Sequence, residues 1–241
     1  PYTDCSPGFG SVAKYIATST LEAGLDVKSM AETSTKVFIL EVMGRHAGWI
    51  AAASCLAASK AGDPPHIILL PEVPFQKGKF LAQVKQMIKE YGYCVIVASE
   101  GTQTINGKFL ADSGLTDAFG HKQLGGVAPI LAGMISKIGF KNHWAVADYL
   151  QRSARHIASK TDLDQAYAVG EHAVKLAISG KTAVMPIIKR ISNSPYKWKI
   201  ETAPLKNVAN VEKTIPKKFI SKNGFEITQA GKKYLSPLIK G

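Results

Sequence analysis

The chain has 241 residues, 46% of them hydrophobic and 20% charged, and a formal net charge of +12. That composition can bury a core in one large domain or two small ones and is not that of a disordered chain. No run of roughly 18 or more apolar residues is present, so no membrane-spanning helix is expected, and residues 1–10 lack the basic and apolar regions of a signal peptide.

Strand-like and helix-like segments alternate. Residues 11–24 read as a helix, with Ser11 as N-cap and Gly24 at the stop. Residues 36–42 (KVFILEV) read as a buried strand. Residues 48–60 read as a helix of small residues ending near Gly62. Residues 66–70 (HIILL) form a second strand, stopped by Pro71. Residues 80–91 form an amphipathic helix with Leu81, Val84, Met87 and Ile88 on one face. Residues 93–98 (YCVIVA) give a third strand, and a long connection follows, from Ser99 to about Lys122. A helix is expected over 127–138. Another runs from a capping box of Thr161 and Asp164 to about Ser179, closed by Gly180. Residues 182–189 and 197–201 read as a hairpin-like strand pair, and the last forty residues carry no clear pattern. Apolar strands alternating with helices predict an α/β fold of three layers with a mostly parallel sheet. Ligands of such sheets gather at the carboxyl ends of strands, where residues 41–45, 71–73 and 100–102 fall.

Residues 8–13 (GFGSVA) fit a dinucleotide fingerprint, but no strand precedes them, so a helix-opening turn explains the glycines better. Arg45, between a strand and a helix start, is either a surface arginine or an anion ligand. The flanking elements favour the anion, since a helix N-terminus offers unpaired donors and arginine a planar fork. Glu100 is either a solvated loop residue or an acceptor for sugar hydroxyls, and Glu72 can simply shape its turn. Gln151, Arg152 and Arg155 are a charged helix start or a second phosphate clamp. Asp4 and Asp148 qualify as general bases by residue type alone. His46, His143 and His156 lack ligand spacing, so no metal site is assigned. Cys5, Cys55 and Cys94 are odd in number and far apart, which fits reduced thiols and a cytoplasmic location. Residues 186–241 hold 12 Lys+Arg against 3 Glu. A solvated lysine-rich face accounts for this tail. Its aromatics form no RNA-recognition signature, so nucleic acid is not expected as a partner.

TDCSPGFGSVAKYIATSTLEAG from Thr3, then EVMGRHAGW, LLPEV, VASEG and DYLQRSARH occur in this order, and together they resemble the phosphofructokinase family over about residues 3–180. DYLQRSARHIASKTD and the long segment after Glu100 look closer to the pyrophosphate-dependent branch than to the short ATP enzymes. The resemblance implies phosphoryl transfer to the 1-hydroxyl of fructose 6-phosphate in glycolysis, with Mg²⁺ on the donor phosphates. Pyrophosphate is the expected donor and ATP the alternative. Met43, Gly44 and Arg45 would hold the sugar phosphate, and Arg45 would also face the transferring group. Glu100 would accept from sugar hydroxyls, and Tyr149 and Arg152 would bind near the 6-phosphate. Lys36 stands where the family often has an arginine reaching into a neighbouring subunit's site, which implies a homo-oligomer; a lysine there is a point charge rather than a fork. The family's donor loop, GGD motif and TIDND motif with its catalytic aspartate fall upstream of Thr3, so the likeness is to the C-terminal part only. The chain alone is expected to hold much of the acceptor site and little of the donor site, and to be inactive. By the same resemblance residues 1–32 connect to a further domain, 33–152 form the sugar-phosphate-binding domain, and 153–241 pack back on the further domain. A non-catalytic sugar-phosphate-binding subunit is the alternative from another class.

Overall fold

The computed structural model describes residues 2–116, 122–124 and 126–241. In chain order it runs α1 (Phe9–Met30), β1 (Val37–Val42), α2 (Trp49–Ala53) with a 3₁₀ turn at Ser54–Ala57, β2 (Ile67–Leu69), α3 (Lys77–Tyr91) and β3 (Cys94–Ser99). There follow β4 (Asp112–Thr116), β5 (Lys122–Leu124), α4 (Val127–Ser136), β6 (Asn142–Val146), α5 (Leu150–Ser153) and α6 (Lys160–Ile178). The chain ends with β7 (Val184–Asn193), β8 (Tyr196–Pro204), α7 (Leu205–Val208) and α8 (Gln229–Leu235). The expected long connection contains β4; its residues 117–121 and residue 125 lie outside the described residues.

The sheet follows from the apolar runs. All six residues of β3 are buried, and β1 is buried on both faces except at Phe38. Strands covered on two faces pair in parallel, here in the order β2-β3-β1-β6. Period-two alternation divides the side chains. Val37, Ile39 and Ile96 face Phe80 and Val84 of α3 and Leu131 and Ile135 of α4. Leu40, Val42 and Val97 face Ile16 of α1 and the alanines of α2. The α/β three-layer expectation is borne out. So is the strand pair, since β7 and β8 form an antiparallel hairpin.

Several boundaries differ for identifiable reasons. The first helix begins at Gly8, held at φ 100°, and continues through Gly24 to Met30. Gly24 serves close packing rather than termination, because a Cβ there would lie 2.4 Å from Pro64 Cγ. Ser11 is not its N-cap. The cap of α6 is Ser159, whose side chain accepts from Asp162 N, not the Thr161–Asp164 pair. Asp162 is then free to serve the start of α1, accepting from Gly8 N (2.8 Å), Ser11 N (3.0 Å) and Ser11 Oγ (2.6 Å). The alanine-rich segment keeps only five α-helical residues before tightening to 3₁₀. The run around Trp144 is an edge strand, β6, that leaves Trp144 and Val146 exposed.

Ile215, Phe219, Ile227 and Leu235 of the tail share one apolar cluster with β1 and α1. The tail thus covers one face of the same sheet. By contrast α6 buries only Asp162 and Gln165 and exposes Leu163, Tyr167, Val174 and Ile178. Among the described residues no helix is long and apolar enough to cross a membrane.

His66 sits 5% exposed at the start of β2, between the rings of Tyr91 and Tyr93. Its Nδ1 accepts the Val95 N–H at 3.0 Å, which favours a neutral ring. Burial lowers its pKa from 6.5 to about 4. Between those values the unfolded chain binds the proton and the folded chain does not. Stability is therefore full above about pH 6.5 and falls as the pH drops toward 4. Urea unfolding is expected to show a loss of about 2 kcal/mol from pH 7 to pH 5 from this group, and His66→Gln should remove that share of the pH dependence.

Candidate functional site

Three adjacent strands, β3, β1 and β6, end on one edge, and the ladder continues into the turns beyond them. Glu100 N donates to Val42 O and Ala147 N to Glu41 O, each at 2.9 Å. Side chains then tie the turns together. Ser99 Oγ donates to Gly44 O at 2.6 Å, and Glu100 Oε1 accepts from Gly44 N at 3.1 Å. Gln151, 2% exposed, accepts from Met43 N at 3.4 Å and donates to Asp148 O at 2.8 Å. Two glycines permit this approach. Gly44 has φ 147°, and a Cβ there would meet Ser99 Oγ at 2.6 Å. A Cβ on Gly101 would lie 1.9 Å from Arg45 O.

The structure thus brings together Met43, Gly44, Arg45 and Glu100, with Gln151 as the bridge to the third strand. The Arg152 guanidinium lies over the exposed Tyr149 ring at 5.4 Å. Arg152 and Arg155 line a cleft of about 630 Å³ with Met43, Gln151 and the start of α1. Asp148, two residues past β6, has φ 37°, a left-handed position that asparagine and aspartate adopt more readily than most side chains.

Three of the groups considered from sequence have partners of their own. Lys36 lies at the opposite end of β1. It precedes the six-residue β1, roughly 20 Å away along the strand, and its Nζ donates to Ala31 O at 2.6 Å. The first amide at the helix start after Arg45 is already engaged, because Gly48 N is taken by both oxygens of Glu72, at 3.1 and 3.2 Å. Glu72 shapes that turn, and also accepts from Ile215 N at 3.0 Å. Asp4 is a structural joint rather than a base. Its carboxylate takes the Arg190 Nε (2.9 Å), Tyr196 OH (3.0 Å) and Tyr234 OH (2.7 Å) donors.

Glu41 was not singled out by sequence reasoning. It is 2% exposed and accepts from Gly126 N (3.3 Å) and Ala128 N (2.8 Å), holding the start of α4. Burial raises its pKa and outweighs the two backbone donors, which lower it; Glu100 and Asp148 add smaller upward contributions. The available signal was a single carboxylate inside an apolar strand. Among the described residues no group of three or more His, Cys, Asp or Glu side chains could hold a metal ion.

Such a crevice suits a small phosphorylated ligand, with arginine forks for the anion and a carboxylate for hydroxyl groups. The family model described as Phosphofructokinase matches residues 1–177. The Pyrophosphate--fructose 6-phosphate 1-phosphotransferase of Halomonas elongata is 65% identical over the whole of this chain. The protein of the same name from Xanthomonas campestris pv. campestris is 58% identical over 99% of it. The chain spans 58% of the length of each. A crystal structure of pyrophosphate-dependent phosphofructokinase from Marinobacter aquaeolei aligns with a TM-score of 0.89 at 60% identity, covering 100% of this chain and 57% of that one.

Gly101→Ala is expected to force the two turns apart and to destabilise the chain by about 1–3 kcal/mol, as overpacking does. Urea unfolding measures the stability, and the Gly44 amide shift in an NMR spectrum reports the displaced turn.

Proposed function

Because this chain belongs to the phosphofructokinase family, we propose that it supplies the acceptor-sugar part of a pyrophosphate-dependent fructose 6-phosphate 1-phosphotransferase. The observation that carries this reading is the direct hydrogen bonding of three strand-end turns around Arg45, Glu100 and Gln151. The names of relatives more than half identical favour pyrophosphate as donor.

In this reading each residue has a chemical task. Arg45 presents a fork to phosphate oxygens and offsets the negative charge that spreads over the transferring phosphoryl group. Glu100 has one lone pair engaged by Gly44 N. A carboxylate offers about four such sites, which leaves acceptors for sugar hydroxyls. Arg152, braced on Tyr149, binds near the 6-phosphate. Met43 and Gly44 shape the floor of the sugar site. Lys36, at the opposite end of β1, serves a neighbouring copy in a homo-oligomer. The base that takes the proton from the 1-hydroxyl and the groups that hold the donor belong to the part of the relatives' length that this chain does not span. Mg²⁺ would come with the donor phosphates and neutralise their charge. The three free thiols suit a reducing compartment such as the cytoplasm.

Calorimetry with fructose 6-phosphate, beside a coupled assay with Mg²⁺ and either pyrophosphate or ATP, tests this. The expected result is sugar-phosphate binding without turnover. Arg45→Ala should weaken binding by about 10- to 100-fold, the worth of hydrogen bonds to a charged group, with Arg45→Lys between. Absence of binding would remove the acceptor-site reading. Turnover by this chain would show that a base within it suffices.

A further inference from the structure

Residues 209–216, between α7 and the 3₁₀ turn Lys217–Phe219, cross the turn that follows β1, and they lie outside the region matched by the family model. They touch that turn, or its support, at three points. Glu212 Oε1 meets His46 Nδ1 at 2.6 Å. Lys213 O accepts from Trp49 Nε1. Ile215 N donates to Glu72, the carboxylate that also holds Gly48 N. Lys213 Nζ then reaches back to Asp4 O at 2.7 Å and Thr3 O at 3.3 Å, and lies 5.6 Å from the Trp49 ring centre. On its other side the His46 ring stacks on Phe109 of the long connection, with centroids 6.4 Å apart.

Residues 43–48 belong to neither β1 nor α2, and glycines at 44 and 48 leave their backbone loose. Contacts alone hold their shape. Ser99, Glu100 and Gln151 hold the Gly44 side. Glu72, Glu212 and Lys213 hold the side from His46 to Trp49. Resting on the sugar-phosphate reading above, we propose that residues 209–216 are a strap that sets the position of Arg45 for its anion, with Glu212 and His46 as positioning residues. Affinity scales with the fraction of molecules already in the competent shape. A loosened strap therefore lowers affinity without removing any ligand-touching group.

The His46–Glu212 pair is partly exposed, at 43% and 56%, so its loss shifts an equilibrium by about two- to fivefold. The test compares this chain with Glu212→Gln, His46→Gln and the double variant. Amide hydrogen exchange is followed by residue, and fructose 6-phosphate affinity by calorimetry. Glu212→Gln should speed exchange at residues 43–49 by that factor, leave β1 and β3 unchanged, and weaken the sugar phosphate to a similar degree. His46→Gln should add little in the Glu212→Gln background. Unchanged exchange at 43–49, acceleration spread evenly through the sheet, or unaltered affinity despite faster local exchange would each overturn the strap. If the unsubstituted chain binds no fructose 6-phosphate, the functional reading fails, and the exchange pattern alone decides the strap.

Discussion

The turns after β1 and β3 lie backbone against backbone, with no room for even one methyl group between Gly101 and Arg45 O. The rest of the site depends on this contact. It places the Glu100 carboxylate against Gly44 N and the Ser99 hydroxyl against Gly44 O, so that a donor and an acceptor of one flexible residue are both satisfied. The arginine that follows is then carried by a turn held from below. Preorganisation of this kind is what lets a charged side chain act without first being reorganised.

The same economy recurs across the molecule. Four carboxylates join segments far apart in sequence by taking up groups left unpaired at chain turns and helix starts. Asp162 serves α1, Glu41 serves α4, and Glu72 serves both α2 and the tail. Asp4 gathers Arg190, Tyr196 and Tyr234 from the hairpin and the last helix. Burial raises the pKa of both tyrosines and, for Lys213 beside them, lowers it. Burial thus keeps both phenols protonated at neutral pH, while for Lys213 it opposes the charge that the Asp4 carboxylate favours. Helix starts leave N–H groups without intrahelical partners; α6 and α8 meet that need with the local caps Ser159 and Thr228, and α1, α2 and α4 with acids from other elements.

What the sequence made legible follows from how local each signal is. KVFILEV and CVIVAS announce themselves because a strand covered on both faces is apolar throughout. The hairpin of β7 and β8 was visible for a similar reason. β6 was not, because an edge strand reading NHWAV has neither an apolar run nor clean alternation. SKTDLD offers two overlapping hydroxyl-x-x-acid patterns, and only the fold selects Ser159, by giving Asp162 a second task at α1. Arg45 and Glu100 could be placed at strand ends by counting. Gln151 could not be foreseen as a buried bridge, since its partner is 108 positions away. Lys36 was assigned through family likeness to a neighbouring subunit's site, and it precedes the strand that Arg45 follows. The tail's Ile215, Phe219, Ile227 and Leu235 lie in separate loops, a 3₁₀ turn and a short helix rather than in one long element, so their place in the core was silent.

The strand order also fixes a timetable. β1 lies between β3 and β6, so a strand made early must wait for two later ones. At about 5–20 residues per second of synthesis, the 108 positions between Met43 and Gln151 correspond to roughly 5–20 s on the ribosome. Through that interval β1 gains β3 on one edge but not β6 on the other, and the turn bearing Arg45 is without its Gln151 contact. This crevice is therefore among the last parts of the chain to become itself.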